Sequence, residues 1–548
     1  MPFSTRYPDL LLHLQLASLE KKSISSDLQE ARIWKSTLAL DQIQALYVYG
    51  IGLGHYAEVI QDWLNRDTSR HLIFLEDDLS ALEAFSQMPN AHEIINHPQI
   101  HLRWVSNTNS WAEAWDLLLE ECAAEFPFDR IEVSALKAYE KIPRFRKIKL
   151  SLLRKTVLWN ALTTETILSH LLHENIIPNL RRIPECSYVN QWKEKLKGTP
   201  IIICGAGPSL QTVADDLRSV RDHALISACG SALSALSHLK IRPHLGVAID
   251  PNSREFNCLS GCTYPDLPLL FGSRLYPKVF ELFDGPYGYI RSGTGGPFES
   301  YVEKELGLND PFLGHDLGRE ALSVTTLALS LAQSWGCNPI IFAGVDMAYA
   351  RKKHYADGVP VTAKLNKGEK RSSDQMVYRK GAEGHFVPTL IKWIMERETI
   401  DRFAKNHPAT TFFSATNGGL GFKQIPFKPL KEIIKNSPSD YDKKIRRLMQ
   451  DTKTQSSSLE INQILSKLAS SLERSLKLFQ LLQQEEPESG KAVLYQADLE
   501  TEIAYELVLG SSKRALDRIG SKKDPLTSEQ DKWKFLEEAA RSYLNSLK

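Results

Sequence analysis

The sequence predicts an α/β protein with two Rossmann-like doubly wound domains, followed by an all-helical C-terminal region. Apolar strand patterns alternate with helical patterns over 1–140 and again over 198–428, and such alternation is typical of parallel sheets. A helical linker is expected over 141–197. From 429 to 548 long helical patterns replace the strand patterns. The chain of 548 residues is too long for one core, because single cores stop growing near roughly 250–300 residues.

Charge and cysteine content exclude several classes of function. The 67 basic and 66 acidic residues nearly balance, so no global field favours a nucleic-acid partner or an anionic membrane. No apolar stretch reaches the roughly 18 residues of a membrane helix, and we expect no membrane insertion. The seven cysteines are scattered, which is typical of reduced thiols in a cytoplasmic protein. Cys258 and Cys262 form a lone C-x3-C pair, with too few ligands for structural zinc.

The first domain carries a glycine turn after its first predicted strand. This strand, at 45–49, is followed by Gly50, Gly52 and Gly54 and then by a helical pattern. The second strand ends at Glu76, about twenty residues further on, where a dinucleotide- or S-adenosylmethionine-binding fold places a carboxylate on ribose hydroxyls. The turn has two interpretations: a nucleotide site, or glycines required for tight packing of strand against helix.

A second glycine turn opens the second α/β domain. An apolar strand at 200–204 leads into Gly205 and Gly207, which can take positive φ angles and let a ligand approach the backbone. Pro208 suits a first helical turn, and Ser209 adds a hydroxyl beside the free amides. This arrangement is typical of phosphate binding. An ordinary strand-to-helix turn is the alternative.

Five further strands are predicted in this domain, at 224–229, 245–249, 267–271, 340–342 and 410–414. Helical patterns separate most of them, so we expect a parallel sheet with ligands beyond the carboxyl ends of its strands. Three segments reach that edge, at 205–209, 250–252 and 344–346. The sequence therefore predicts a ligand site built from these segments.

Ordered sequence blocks in this domain resemble a known family. They lie at 205–210 (GAGPSL), 227–232 (SACGSA), 241–251, 323–349 and 417–419 (NGG). In this order they resemble the motility accessory factor (Maf) family of flagellin glycosyltransferases, which is related to archaeal MptE-like 6-hydroxymethylpterin diphosphokinases. The same blocks resemble the small bacterial sialyltransferases. The resemblance to Maf extends over nearly the whole chain.

The resemblance implies a glycosyltransferase that moves a nonulosonic, sialic-acid-like sugar from a cytidine monophosphate (CMP) donor to a hydroxyl group. The acceptor would be a protein, such as a flagellin-like one, or a glycan. Catalytic roles are implied for Tyr349 and Tyr355, whose hydroxyls would donate to the leaving phosphate, and for His385 as general base. His354, beside Tyr355, is the rival base. Loop aromatics and a surface histidine are the ordinary interpretations of these residues.

The resemblance also implies a set of nucleotide-binding residues. Asp346 and Asn252 would contact ribose or base, although capping and turn chemistry explain the same residues. The transfer would require neither a cofactor nor a metal. The full set is Gly205, Gly207, Ser209, Ser227, Gly230, Asp250, Asn252 and Asp346.

Two other functions stay open at this point. A diphosphokinase like the archaeal pterin enzymes would use ATP and Mg²⁺, but it would not be a P-loop kinase, because no lysine follows Gly207 at the required place. A noncatalytic scaffold would use the long C-terminal helices to assemble partners. The apolar stripe over 461–479 is either core or the seam of a homo-oligomer.

Overall fold

The computed structural model describes residues 7, 27–105, 111–168, 171–314, 317, 323–349, 353–361, 376–435, 438–521 and 529–548. The chain forms two compact units, which divide between Leu162 and Thr163. Each unit contains a parallel sheet and helices, so the predicted α/β class is confirmed. All seven cysteines are free thiols.

Unit 1 contains a four-stranded parallel sheet. Its strands are β1 (Ala45–Tyr49), β2 (His71–Glu76), β3 (Ile100–Trp104) and β4 (Ile131–Ala135). Its helices are α1 (Leu28–Ser36), α2 (His55–Asn65), α3 (Leu79–Ser86), α4 (Ala91–Asn96) and α5 (Trp111–Glu125). The strand order is β3-β2-β1-β4. Every residue of β1 is buried, as expected of a central parallel strand with both faces covered.

The expected linker differs from the structure in its second half. Helix α6 (Pro143–Leu168) contains the division between the units. The residues that follow form helix α7 (His173–Arg181) and strand β5 (Ser187–Tyr188), both within unit 2. A strand of two residues is too short to show an alternating pattern. It is held instead by long-range pairing, since Tyr188 N donates to the Thr452 carbonyl at 2.7 Å and Ser187 bridges Lys453.

Unit 2 is built on an eight-stranded sheet whose strands are all parallel. Besides β5 they are β6 (Ile201–Cys204), β7 (Leu225–Cys229), β8 (Leu245–Ala248), β9 (Leu269–Gly272), β10 (Tyr287–Ile290), β11 (Ile340–Ala343) and β14 (Phe412–Ser414). Their order is β14-β11-β6-β7-β8-β9-β10-β5. The six strands predicted from the sequence are present, with ends shifted by one or two residues.

Helices cover both faces of this sheet, and buried apolar side chains form a core on each face. The helices between the strands are α8 (Ala214–Ser219), α9 (Ala232–His238), α10 (Ser253–Leu259), α11 (Gly296–Glu305), α12 (Val324–Ser334) and α13 (Ile391–Asn406). An antiparallel hairpin of β12 (Met376–Lys380) and β13 (Phe386–Leu390) precedes α13.

The C-terminal region is helical, as predicted. Its helices are α14 (Leu430–Ile433), α15 (Tyr441–Asp451), α16 (Ser458–Leu482), α17 (Gly490–Thr501), α18 (Ile503–Leu507), α19 (Gly510–Ser521) and α20 (Glu529–Leu547). Helix α16 begins with a capping box between Ser457 and Glu460. The stripe over 461–479 is buried within this chain, so it is core. None of the described helices is both long and apolar enough to cross a bilayer.

Candidate functional site at the carboxyl edge of the unit 2 sheet

The glycine turn after β6 packs directly against the turn after β11. A Cβ atom on Gly205 would lie 2.7 Å from the Gly344 carbonyl oxygen, and one on Gly207 would lie 2.6 Å from the same atom. Neither glycine uses the positive φ that is open to it, and the φ of Gly207 is −65°. The glycines are required because two backbones approach each other at this point.

The Asp346 side chain accepts a hydrogen bond from the backbone amide of Ser209, which the sequence pattern predicts to bind a phosphate. Its carboxylate accepts a hydrogen bond from Ser209 N at 2.8 Å and another from the Ser209 hydroxyl. Asp346 is buried, and this burial raises the pKa of its carboxyl, although the bonds from Ser209 oppose the shift. The turn is thus closed by an internal carboxylate, and Ser209 acts as its partner.

A third loop, the NGG segment, completes this arrangement. A Cβ on Gly418 would lie 2.7 Å from the Ser209 Cβ, and one on Gly419 would overlap the Asp346 backbone. The amide of Leu420 donates to the Asp346 carbonyl at 2.9 Å. Asp346 therefore joins three loops, and its structural role accounts for all the contacts that its side chain makes in the described residues.

The glycine turn of unit 1 is closed in a similar way. The Glu76 carboxylate accepts hydrogen bonds from the amides of Ile51 at 3.0 Å and of Asp77 and Asp78 at 2.9 Å each. Burial raises its pKa to about 7 against the effect of these donors. Side chains cover the glycines, since a Cβ on Gly50 would meet the Tyr139 ring at 2.5 Å. This geometry favours the packing interpretation of the unit 1 turn.

The ends of β7 and β8 present a more open region beside the unit 2 turn. Gly230 follows β7 with a φ of +47°, a conformation that favours glycine. Asp250 and Asn252 follow β8, and both are exposed. Asn252 is the N-cap residue of α10, but its side chain makes no capping bond. Ser227, by contrast, is buried within β7 and does not reach this region as an exposed donor.

Basic side chains surround Asp250. Although Asp250 is exposed, nearby protein atoms remove part of the hydration of its carboxyl, and this raises its pKa. The charges of Arg274, Arg254 and Lys392 oppose the shift. Arg254 makes no hydrogen bond or ion pair within the described ranges. It also lies in the first turn of α10, where the helix dipole disfavours a cation. An anionic ligand would supply the partner that Arg254 lacks.

Glu255, the next residue, carries a buried carboxylate. The residue is only 5% exposed, and its Oε1 would lie 3.4 Å from a Cβ placed on Gly230. Burial, with the charge of Asp250 as a second cause, raises the pKa of Glu255 to about 8. No donor or cation contacts this carboxylate in the part of the chain that the structure describes. Glu255 is thus a buried acid without an internal partner.

Aromatic rings line the adjoining side of this region. His354 stacks on Tyr355, with ring centroids 4.0 Å apart, and lies 4.7 Å from the Trp393 ring. The Tyr349 ring lies 5.6 Å from His354 and 5.2 Å from Trp393. His354 and Tyr355 belong to the loop at 353–361. This loop contacts the glycine turn of unit 2, since Ala356 N donates to the Ala206 carbonyl at 2.8 Å. Tyr349, Tyr355 and His354 are therefore brought together.

The Tyr355 hydroxyl reaches the end of β7. It lies near the Ser231 side chain and within electrostatic range of Arg254 and Asp250. Burial raises the pKa of Tyr355, so its hydroxyl keeps its proton at neutral pH and acts as a donor. Tyr355 is thus a predicted catalytic residue that lies near the charged groups that follow β8.

His385 lies apart from this group. It occupies the turn of the β12–β13 hairpin, where its side chain is 62% exposed and its Nδ1 lies 3.7 Å from a Glu383 carboxylate oxygen. The turn contacts the NGG loop through Ala382 N, which donates to the Gly419 carbonyl at 3.0 Å. No contact between the imidazole and Tyr355 occurs in the described residues. Its predicted role as base stays a prediction.

Sequence reasoning missed Arg254, Glu255 and Trp393. A signal for the first two was present, because Asp250 and Pro251 are followed by a helix whose first turn pairs a cation with an acid. Trp393 had no local signal, since it joins the aromatic group only through the packing of α13. No cluster of three or more histidine, cysteine or acidic side chains suited to a metal occurs in the described ranges.

Comparisons with known proteins support part of the resemblance. Residues 174–352 match the family described as 6-hydroxymethylpterin diphosphokinase MptE-like. This match supports the resemblance to the MptE-like family; it begins in α7, before the predicted domain of 198–428, and covers part of that domain. A solved structure of a Maf glycosyltransferase from Magnetospirillum magneticum AMB-1 is similar, with a TM-score of 0.47 and 11% sequence identity. The similarity covers 99% of this chain and 94% of that one. No curated protein matches the chain.

Proposed function

We propose that this protein is a glycosyltransferase that moves a nonulosonic sugar from a CMP donor to the hydroxyl of a protein or glycan. One observation carries the proposal: beyond the carboxyl ends of β7 and β8, Tyr355 and Arg254 lie near Asp250. Glu255 lies beside Asp250 and Gly230 at the same edge. Ligands of parallel α/β sheets bind at that edge. Transfer from a sugar phosphate needs a protonated hydroxyl, a cation and a carboxyl that can accept a proton, and Tyr355, Arg254 and Glu255 are residues of these three kinds.

The cations and the tyrosine act on the donor. Arg254 and Lys392 attract the phosphate, and the Tyr355 hydroxyl donates a hydrogen bond to the oxygen that leaves the sugar. The bond between the anomeric carbon and that oxygen breaks, and its electron pair stays on the phosphate. The aromatic rings of Tyr349, His354 and Trp393 give the donor a wall that excludes water on one side.

The acceptor completes the reaction from the opposite face of the sugar. Its oxygen forms a bond to the anomeric carbon, so the configuration there is inverted. The hydroxyl proton must pass to a base as the bond forms. The products are the glycosylated acceptor, CMP and one proton. The reaction as proposed uses no cofactor and no metal ion.

A diphosphokinase is the second candidate, and the MptE-like match over 174–352 favours it. Such an enzyme transfers a diphosphate group from ATP, with Mg²⁺ to neutralise the phosphate charge. It differs from the first candidate in its nucleotide and in its need for a metal. Ligand binding therefore separates the two functions without knowledge of the acceptor.

Thermal unfolding with CMP, ATP and a pterin, each with and without Mg²⁺, is the first test. A ligand at 100 times its Kd stabilises the native state by about 2.7 kcal/mol. Stabilisation by CMP alone supports the glycosyltransferase. A response to ATP or pterin that requires Mg²⁺ supports the diphosphokinase. Absence of any response favours a noncatalytic scaffold.

Activity is then measured as CMP release from CMP-N-acetylneuraminic acid, used as the probe donor. We expect Tyr355→Phe to lower the rate about 10²-fold or more, because a donor to the leaving group is lost. Tyr495→Phe, in α17, is the matched control and should retain the wild-type rate. Equal rates in wild type and Tyr355→Phe would remove Tyr355 from the mechanism.

A further inference from the structure

Glu255 differs from the other buried carboxylates whose contacts are given above, because those carboxylates have internal donors. Glu76 accepts from three backbone amides, and Asp346 accepts from the amide and hydroxyl of Ser209. In unit 2, Glu299 accepts from Gly295 N at 2.7 Å and from the Tyr289 hydroxyl at 3.2 Å. Glu255 has no such donor in the described residues.

An unpartnered buried carboxyl is costly for the folded state. Its ionised form loses hydration without gaining a compensating bond, so it destabilises the protein or holds a proton. Residues that lower the stability of the fold and make no compensating contact are typical of functional sites. The position of Glu255 fits this description, since it lies beside Gly230 and Asp250 at the ligand-binding edge of the sheet.

The groups around Glu255 come from several elements. Asp250 follows β8 and repels its charge, while Arg254 precedes it on α10. Tyr355, from the 353–361 loop, lies near Asp250 and Arg254. Lys392, on α13, acts on Asp250 and on Glu396, whose carboxyl accepts a hydrogen bond from Ser323 at the start of α12. A substrate hydroxyl that enters this region would give Glu255 the donor it lacks.

We propose that Glu255 is the catalytic base that takes the proton of the acceptor hydroxyl, in place of His385. This inference rests on the proposed glycosyltransferase function. As the acceptor oxygen bonds to the anomeric carbon, its proton passes to a Glu255 carboxylate oxygen. The electron pair of the broken bond leaves with CMP, and Glu255 later releases the proton to solvent. The step therefore needs no further reactant.

Three variants test the inference: Glu255→Gln, Glu255→Asp and, as matched control, the exposed Glu281→Gln. Glu255→Gln should lower kcat for CMP release by 10²-fold or more, the range of general-base catalysis. Wild-type kcat should rise with pH up to the pKa of the carboxyl, and this limb should be absent from Glu255→Gln. Glu255→Asp should keep the limb at a lower rate. Glu281→Gln should match wild type throughout.

Stability supplies a readout that does not depend on activity. Because Gln carries no charge, Glu255→Gln should raise the Tm above the wild-type value at pH 8, and the difference should shrink toward pH 5. A lower Tm for this variant at both pH values would show that the carboxyl has structural partners, and would overturn the inference. The combination of higher Tm and lost rate is expected only of a residue kept for its chemistry.

The outcomes distinguish the inference from the function on which it rests. If wild type neither binds CMP nor releases it from the probe donor, the proposed function is wrong and the inference fails with it. If wild type is active and Glu255→Gln keeps its rate and pH limb, only the inference is wrong. Loss of the limb in His385→Ala or His354→Ala, with the limb intact in Glu255→Gln, would assign the base to that histidine.

Discussion

The turn after β1 in unit 1 and the turn after β6 in unit 2 are both closed by an internal carboxylate, but their surroundings differ. In each, a backbone amide donates to an internal carboxylate, that of Glu76 for Ile51 and that of Asp346 for Ser209. In unit 1, rings such as Tyr139 lie directly on the glycines. In unit 2, Arg254 and Glu255 follow a neighbouring strand, and neither side chain has a hydrogen-bond or ion-pair partner among the described residues. A glycine turn alone thus indicates close packing, and ligand binding must be inferred from the unsatisfied groups beside it.

The largest expected effect follows removal of the carboxylate that joins the unit 2 loops. Asp346→Ala leaves the buried amide of Ser209 without an acceptor, so we expect it to lower the free energy of unfolding by about 3 kcal/mol or more. Chemical denaturation measures this loss. Asp357→Ala, at an exposed site, is the control and should resemble wild type. A loss of CMP binding with unchanged stability would assign Asp346 to the ligand instead.

The next prediction tests the backbone contact between the two turns. Gly207→Ala places a Cβ 2.6 Å from both the Asp346 Cγ and the Gly344 oxygen. We expect a loss of about 1–3 kcal/mol, as for overpacking elsewhere. Gly490→Ala is the matched control, because no atom lies within 4 Å of its added Cβ. If both variants unfold alike, backbone packing does not explain this glycine.

Glu76→Gln makes the corresponding test in unit 1. It replaces a carboxylate oxygen by an amide group that faces N–H donors, so we expect a loss of about 1–3 kcal/mol in mild acid. The wild-type pKa near 7 lies above the unfolded value of about 4.3. The contribution of Glu76 to stability is therefore full below pH 4.3 and is lost as the pH rises through 7. The difference between variant and wild type should narrow over that interval in thermal melts.

Ser209→Ala has the smallest expected effect. Only the hydroxyl bond to Asp346 is lost, and the amide bond remains, so stability should fall by about 1 kcal/mol. CMP should still stabilise the variant. Loss of the CMP response at near-normal stability would mean that the hydroxyl binds the donor phosphate, as the sequence pattern suggests. That result would reverse the comparison between the two turns.

The sequence predicts the two α/β units because long apolar runs such as β1 and β6 determine buried parallel strands. Strands β5 and β10 were missed, since β5 has two residues and β10 contains Gly288, whose Cβ would lie 2.5 Å from Leu270. The glycine turns were found from their pattern. The carboxylate that closes the unit 2 turn was not predicted, because Asp346 lies 137 residues from Ser209 and only the folded chain brings them together.

The candidate site was predicted in part for a similar reason. Tyr349, Tyr355 and His354 are close in sequence, and the structure brings them together. The sequence signal for Glu255 is weak, since an acid in a first helical turn is ordinary even beside a cation. Its unusual property is that its carboxylate has no donor in the described part of the chain, although it lies buried beside Gly230. Such a property can be read only from three-dimensional packing.

The pairing of β5 has a consequence for the order of events during synthesis. This edge strand is bound by Thr452 and Lys453, about 260 residues later in the chain. Until the ribosome has made that segment, the eight-stranded sheet has an open edge, and unpaired edges invite association with other chains. The nascent protein therefore depends on the segment at Thr452 and Lys453, which is made after all eight strands, to protect this edge from association.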